Sequence, residues 1–596
     1  MNTLADFKPL RRVALPDLGD LNCSGLVLLV GPNSSGKSQL LQDIYRRLSG
    51  EPRQLVVATD VQIEKPPFQP FIRCLVDEGY FRTVEDDSGN TQMWPQTMYL
   101  GSGQAVGQIQ PRQAEEWYSR FEPDAPNFPR RSSEFLNFFG RLLVTALFLD
   151  RRLTSLSPAG VIDFLSQAPQ HDLHALYLDD RARELLYDEM LRSFGRSVWP
   201  DMSRGNQISL KVSEEGALPT PEERLSHKKM AAFRSVETEG DGIKSYLATC
   251  VSLLLGRRPV CLIDEPELCL HPPQAYNLGR FIGRFGASPD CATFAATHSS
   301  HILRGVIQTA PQVQIVRLTR RGSTFSAHLV PASDLAEALA RPTLRAEAIL
   351  DGIFAQAVVV VEADGDRLVY QAAWETLHDN FRMDLHFSTV GGTGGIADTC
   401  RLYRTLGIPI AVMADLDMLV DRHRLAAVLD SLVEDASVRE PLIRTCAKLA
   451  EEIRKLPPNI SQQAVTDELS ALADLPMDWS KYNDVEIRRR LNRLGNELDR
   501  MRRVKKGGVN AYAGDLADRL RSMLQALREQ GLFLVPVGEL EEWLSEYEVG
   551  VSKNNKRAWA NAAAQRIQGL GKQTGDVWKF VSEVGTHLTS RCIRSD

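Results

Sequence analysis

Short apolar runs, all but one closed by glycine or an acid, punctuate this chain. They occupy Gly25–Val30 and residues 260–263, 293–296, 358–361, 385–390, 408–414 and 531–537. Runs of this length bounded by turn residues read as buried strands. Helical patterns separate them, at residues 39–48, 246–255 and 397–406 and from Arg367 onward. This alternation predicts an α/β protein with parallel sheets. Residues 51–235 are less regular, with strand-like and helical pieces alternating at 54–58, 98–100 and 134–149. Gly101, Gly103 and Gly107 have the wrong spacing for a dinucleotide loop and read as an ordinary turn. Residues 331–348 look like a helical connector. Residues 420–529 are predominantly helical, broken at Pro457-Pro458. After the last strand, residues 538–544 begin another helix.

The first strand runs into Gly31-Pro32-Asn33-Ser34-Ser35-Gly36-Lys37-Ser38, and a helix follows. This is G-x-x-x-x-G-K-S in the strand–loop–helix context the motif requires. Gly31, Asn33 and Gly36 belong to a loop whose backbone N–H groups wrap phosphates. Lys37 would reach the β/γ-phosphates and Ser38 would hold Mg²⁺. A later strand ends in Asp264-Glu265, followed by Pro266-Glu267-Leu268-Cys269-Leu270-His271-Pro272. Asp264 would orient the waters of the Mg²⁺, and Glu265 would take a proton from the attacking water. His298 could contact the γ-phosphate; taken alone it would more often be a satisfied polar residue. Asp150-Arg151-Arg152 could turn one arginine to a phosphate, or simply end a helix in solvent.

A second constellation begins at Val358-Val359-Val360-Val361, which ends in Glu362, with Asp366 four residues on. A turn, Gly391-Gly392-Thr393-Gly394-Gly395, follows the next strand, and the strand at 408–414 ends in Asp415-Leu416-Asp417. On an extended segment, side chains at i and i+2 share a face. Parallel sheets form sites at the carboxyl ends of their strands, where these acids lie. Clustered carboxylates repel one another unless cations lie between them, and Mg²⁺ or Mn²⁺ prefers such oxygen ligands. A lone Asp-x-Asp is as readily a solvated strand end, but the ordered set is far more specific. Glu539 or Glu541 would rejoin this cluster after the helical stretch, unless both are ordinary early-helix acids.

Composition narrows the setting. A chain of 596 residues exceeds one ordinary core, so two or three domains are expected. Nine cysteines without a Cys-x-x-Cys pair suggest neither a zinc ribbon nor a disulfide framework. No signal pattern and no apolar run of ~18 residues is present, so a cytoplasmic protein without a membrane partner is expected. Net charge is −6, so any nucleic-acid surface must be local. The sharpest basic feature is Arg488, Arg489, Arg490, Arg493, Arg500, Arg502, Arg503, Lys505 and Lys506. It reads as a solvated helix face or as a phosphate-binding surface. Lys553, Lys556, Arg557, Lys572 and Lys579 could each neutralise a scissile phosphate.

The Glu, glycine-turn, Asp-x-Asp order resembles the Toprim domain of topoisomerases, primases and some nucleases. The P-loop, Asp264-Glu265 and His298 resemble ABC-type ATPase heads of DNA-repair and chromosome-structure proteins. Their Ser-Gly-Gly signature is degenerate here, at Gly240-Asp241-Gly242 with Ser245, and no heptad arm divides the ATPase halves. An ABC-type ATPase followed by Toprim resembles the OLD (overcoming lysogenisation defect) family, which includes the Gabija nuclease subunit and retron-associated nucleases. The resemblance implies an ATPase domain at 1–345, a Toprim domain at 346–419 and 531–596, and a helical insertion at 420–530. It implies ATP and Mg²⁺ or Mn²⁺ as cofactors. Glu362, Asp366, Asp415, Asp417 and one of Glu539 and Glu541 would hold two metals for DNA cleavage, gated by nucleotide state. The implied partners are DNA, a second copy (as dimer or tetramer), and a helicase-like protein or retron reverse transcriptase with its DNA. Two departures stand out: Thr393 replaces the family's frequent lysine, and Ala363 replaces its glycine. A topoisomerase would need a nucleophilic tyrosine, and Tyr370 and Tyr403 read as packing residues. The alternatives are a non-cleaving DNA-repair or scaffold ATPase and a transporter ATPase, the latter opposed by the acidic C-terminal half.

Overall fold

Strands with no polar position are expected where both faces of a sheet are covered, and the computed structural model places them there. It describes residues 4–593 apart from 96–108, 124–132, 337–346, 378–382, 391–394, 475–482 and scattered stretches of four residues or fewer. The turn expected at Gly101–Gly107, most of the connector at 331–348 and Gly391–Gly394 with Thr393 lie outside the described residues. The chain divides into two units, Met1–Glu337 and Ala338–Asp596.

The first unit is built on a six-stranded sheet. Its order is Thr324–Val330, Gln314–Arg321, Gly25–Val30, Ala292–Ala296, Val260–Asp264 and Val144–Leu147. All neighbours run parallel except the first two, which form a hairpin. Val27, Leu28 and Leu29 are wholly buried, and the following helix Lys37–Leu48 buries Leu40, Leu41, Ile44 and Leu48 against the sheet. Each such side chain contributes about 1.5–3 kcal/mol. The strand-like reading of 54–58 is corrected. That segment is irregular, and the N–H groups of Val56, Val57 and Ala58 all donate to Asp43 Oδ2. A buried carboxylate thus supplies the acceptors that a neighbouring strand would have provided.

The second unit holds a four-stranded parallel sheet in the order Leu385–Thr389, Ala357–Val361, Ile410–Ala414, Leu532–Leu534. The excursion between its third and fourth strands is helical, including Ala436–Lys455, Asn483–Leu498 and Gly514–Glu529. The last residues are not an appendage. Helices Lys556–Leu570 and Asp576–Ile593 place Trp559 and Trp578 in the core, at 1 % and 0 % exposure. The helix expected at 538–544 is a single 3-10 turn, Leu540–Glu542, because Leu540 and Trp543 are both drawn into that core. No described helix is long and apolar enough to cross a membrane.

Candidate nucleotide and carboxylate sites

The glycines of the first loop are required by its backbone. Gly31 and Gly36 lie at φ 135° and 100°, a region that side chains disfavour. A Cβ on Gly31 would collide with the Leu318 carbonyl, and one on Gly36 would press on Phe325 and Val57. Asn33 is exposed at the loop tip. Lys37 is buried, and its Nζ donates to the carbonyls of Gly31 (2.8 Å) and Pro32 (2.9 Å). Burial lowers its pKa, against the pull of Glu265, Glu267 and Asp264. Ser38 Oγ donates to Asp264 Oδ1 at 2.7 Å. The two residues expected beside Mg²⁺ therefore meet across the sheet.

Glu265 directly follows the strand Val260–Asp264 and lies in the left-handed region, at φ 45°, which costs a side-chain residue about 1–3 kcal/mol. Its N–H donates to Ala296 O at 2.9 Å. Its carbonyl accepts from Arg152 Nη2 at 2.9 Å, and the Asp264 and Leu147 carbonyls accept from Arg152 Nη1. Arg152 is wholly buried. The solvated-end reading is corrected for Arg152, whose guanidinium is spent on three backbone carbonyls. It braces the strand end from behind, which no sequence signal marked.

His298 Nδ1 lies 3.4 Å from Glu265 Oε1 and 3.2 Å from Glu267 Oε1. The contact with Glu265 raises the His298 pKa and lowers that of Glu265. Burial raises the pKa of Asp264 and of Glu267. Glu267 Oε1 also accepts from Thr297 Oγ1 and the His298 N–H, both at 2.8 Å. Sequence reasoning gives Glu267 no role of its own; its place directly after Asp-Glu-Pro is the signal that could have found it. In the degenerate signature, Gly240 and Asp241 are exposed at the start of helix Asp241–Leu254, but Ser245 is wholly buried. Ser245 therefore presents no hydroxyl to a neighbouring copy.

In the second unit the acids do gather. Glu362 follows Ala357–Val361, and Asp366 lies in the first turn of Asp364–Leu377, accepting from the Ala363 N–H at 3.0 Å. Asp415 follows Ile410–Ala414. The extended Asp-x-Asp is corrected: the chain turns at once into the 3-10 turn Leu416–Val420, which carries Asp417. The turn nevertheless keeps Asp417 beside Glu362 and Asp415, whose charges sense it. Burial, then Asp366, Glu362 and Asp417, push the Asp415 carboxyl up to about 8. Burial and the nearby Glu362 and Glu541 push Asp366 to about 6. Burial also raises the pKa of Glu362.

Three cations answer these acids. Arg424 pairs with Glu362. Lys505 Nζ lies 2.6 Å from Asp417 Oδ2. Lys556 Nζ lies 3.2 Å from Glu541 and 3.5 Å from Glu539, so both candidate glutamates face one lysine. Of the other basic candidates, Lys553 sits on Glu542 at 2.9 Å. Lys572 and Lys579 line a cavity of about 580 Å³ with Trp578 and His587. Among the described residues no three His, Cys, Asp or Glu side chains meet as a formed ligand shell. The donor set still fits a hard divalent ion in kind: Glu362, Asp366, Asp415 and Asp417 offer oxygen alone, and burial first, then the neighbouring acids, raises the Asp415 carboxyl. In the basic run, Arg488, Arg489 and Arg493 are exposed, Arg489 lying 3.5 Å from Glu486 and Arg493 3.3 Å from Glu497, and Arg490 is engaged by Glu468 at 2.7 and 2.9 Å. The side chains of Arg500, Arg502 and Arg503 lie outside the described residues. Tyr370 and Tyr403 are buried packing residues, as expected.

An ATPase core with a P-loop on one parallel sheet, followed by a Toprim-like parallel sheet edged with acids, defines the class. Residues 353–417 match the family "Overcoming lysogenization defect protein-like, TOPRIM domain", and residues 161–304 match "AAA domain, putative AbiEii toxin, Type IV TA system". The chain thus joins an AAA-type ATPase domain to an OLD-like Toprim domain, the order found in ATPase–Toprim fusions of that family. No curated protein matches it. Among solved structures it is similar to an Smc head bound to the C-winged helix domain of ScpA, at 10% identity, covering 55% of this chain and 99% of that one, TM-score 0.30. It is also similar to the SMC head domain from Thermotoga maritima, at 11% identity, covering 54% and 99%, TM-score 0.26. A third is the Pyrococcus furiosus Smc head with an extended coiled coil bound to the C-terminal domain of ScpA, at 10% identity, covering 56% and 98%, TM-score 0.28.

Proposed function

We infer that this protein is an ATP-hydrolysing, metal-dependent DNA endonuclease, an antiphage effector whose Toprim unit is gated by nucleotide state or a partner. What supports this reading is the placement of Glu362 and Asp415 directly after the parallel strands Ala357–Val361 and Ile410–Ala414, with Asp366 and Asp417 in the turns that follow. Those four, with Glu541 or Glu539, would hold Mg²⁺ or Mn²⁺. Bound there, the ions would lower the pKa of an attacking water and stabilise the leaving 3′-oxygen. Lys556 faces Glu539 and Glu541 and would meet a phosphate beside them. Exposed Arg488, Arg489 and Arg493 would hold the DNA backbone without reading sequence.

In the first unit, Lys37 and the loop from Gly31 to Ser38 would bind the ATP phosphates. Ser38 and Asp264 would set the magnesium side, and Glu265 would accept the proton of the attacking water. A second copy would contact the exposed Gly240 and Asp241. One observation favours the non-cleaving scaffold alternative: Glu362 and Asp417 are both paired with protein cations. Plasmid nicking decides. Mn²⁺-dependent conversion of supercoiled to open circles, lost in Asp415→Ala, is the expected result; no nicking by the wild type under any nucleotide state would overturn it.

A further inference from the structure

The last turn of the basic stretch is built into the carboxylate site. Gly538, which precedes Glu539, lies at φ 114°, and a Cβ there would collide with the carbonyl of Lys505. Gly508, at φ 54°, approaches the Pro536 carbonyl as closely, and the Val509 N–H donates to that oxygen at 2.9 Å. The Leu416 N–H donates to Gly538 O at 2.8 Å, and Val504 is buried at 1 % exposure. Backbone from 504 to 509 is thus clamped to the loops that carry Asp415, Asp417 and Glu539. From this clamp Lys505 reaches Asp417 at 2.6 Å, while its side chain stays 43% exposed. Asp366 and Asp415, by contrast, have no ion-pair partner among the described residues.

We propose that Lys505 is a fixed counter-charge of Asp417, supplied by the helical insertion, which restricts the DNA-free Toprim unit to a single divalent ion. That ion is held on the Asp366 and Asp415 side. An ammonium group 2.6 Å from a carboxylate oxygen takes up its lone pairs and repels a second cation. Glu362 is likewise engaged by Arg424, so a second ion must displace Lys505 or Arg424 from its carboxylate. This rests on the metal-dependent reading above and goes beyond it by assigning a non-ligand residue the control of occupancy.

The test is a Mn²⁺ titration of the nucleotide-free full chain, followed by the electron paramagnetic resonance signal of free Mn²⁺. Wild type, Lys505→Met, Lys505→Arg and Asp415→Asn are compared. Lys505→Met is expected to take up an additional ion, or to bind Mn²⁺ about tenfold more tightly, because a like charge a few ångströms away is gone. Lys505→Arg is expected to behave as wild type, which separates charge from packing. Equal uptake by wild type and Lys505→Met, with uptake reduced in Asp415→Asn, would overturn the role of Lys505 and leave the metal site standing. Wild-type uptake that is absent, or indifferent to Asp415→Asn, would overturn both.

Discussion

His298 Nδ1 and Glu265 Oε1 stand 3.4 Å apart, and each moves the other's titration in the direction that favours an ion pair. The raised His298 pKa contributes stability that is full below the ordinary histidine value and fades as pH rises through the raised one. The lowered Glu265 pKa contributes stability that is present above the ordinary carboxylate value and fades as pH falls through the lowered one. His298→Ala removes the largest cause of Glu265's depression, so the acidic limb of the kcat profile for ATP hydrolysis should move to higher pH. Glu265→Gln should bind ATP but hydrolyse it about 100-fold or more slowly. Phosphate-release assays across pH check both, and an unmoved acidic limb in His298→Ala would refute the coupling.

Arg152→Lys should separate binding from hydrolysis. Lysine keeps the charge but presents one nitrogen where Arg152 presents two, so it cannot reproduce the fork that holds Leu147 and Asp264 from Nη1 and Glu265 from Nη2. The left-handed Glu265 would lose its brace, while Lys37 and its loop remain. Nucleotide affinity is expected to stay within about threefold and kcat to fall about tenfold or more, as misplacement by an ångström can cost more than that. Equal loss of affinity and kcat would mark Arg152 as merely structural.

Asp415 gives a pH signature in the metal-free protein. Its folded pKa of about 8 lies above the ordinary carboxylate value. Its contribution to stability is therefore full below that ordinary value and is lost as pH rises through about 8. The melting temperature of the second unit should fall between mildly acid and alkaline pH, and Asp415→Asn should flatten that fall. Mn²⁺ should restore stability most at alkaline pH, where the carboxylate is free to bind it. Scanning calorimetry at several pH values measures all three, and parallel curves for wild type and Asp415→Asn would refute the assignment.

The exposed face of the basic helix predicts salt-dependent DNA binding. Arg488, Arg489 and Arg493 changed together to Glu should weaken binding to unrelated duplexes alike. The log–log salt slope should flatten by about 0.9 for each phosphate that is no longer neutralised. Arg490 is left out because its forked contact with Glu468 joins this helix to Gln462–Ala473, whereas Arg489 and Arg493 pair within their own helix. Filter binding at several salt concentrations reads the slope, and an unchanged slope would remove DNA from this surface.

Composition along the chain determined the parts that depend on neighbours in sequence. Gly25–Val30 with its glycine loop and Lys37, and Ala357–Val361 ending in Glu362, are legible because a doubly buried strand carries no polar position and a phosphate loop needs glycine at set intervals. The tertiary structure decided what acts at a distance. Arg152 looked like a solvated helix end until the sheet placed the strand before its helix, Val144–Leu147, beside Val260–Asp264. Lys505 looked like one charge among nine until Gly508 and Gly538 brought its backbone against the acid loops. Asp417 looked like the next residue on an extended strand, but buried Leu416 and Met418 pull the chain into a turn. Such positions depend on long-range packing and on which backbones can approach without a side chain between them, and a local pattern of apolar and polar residues carries neither.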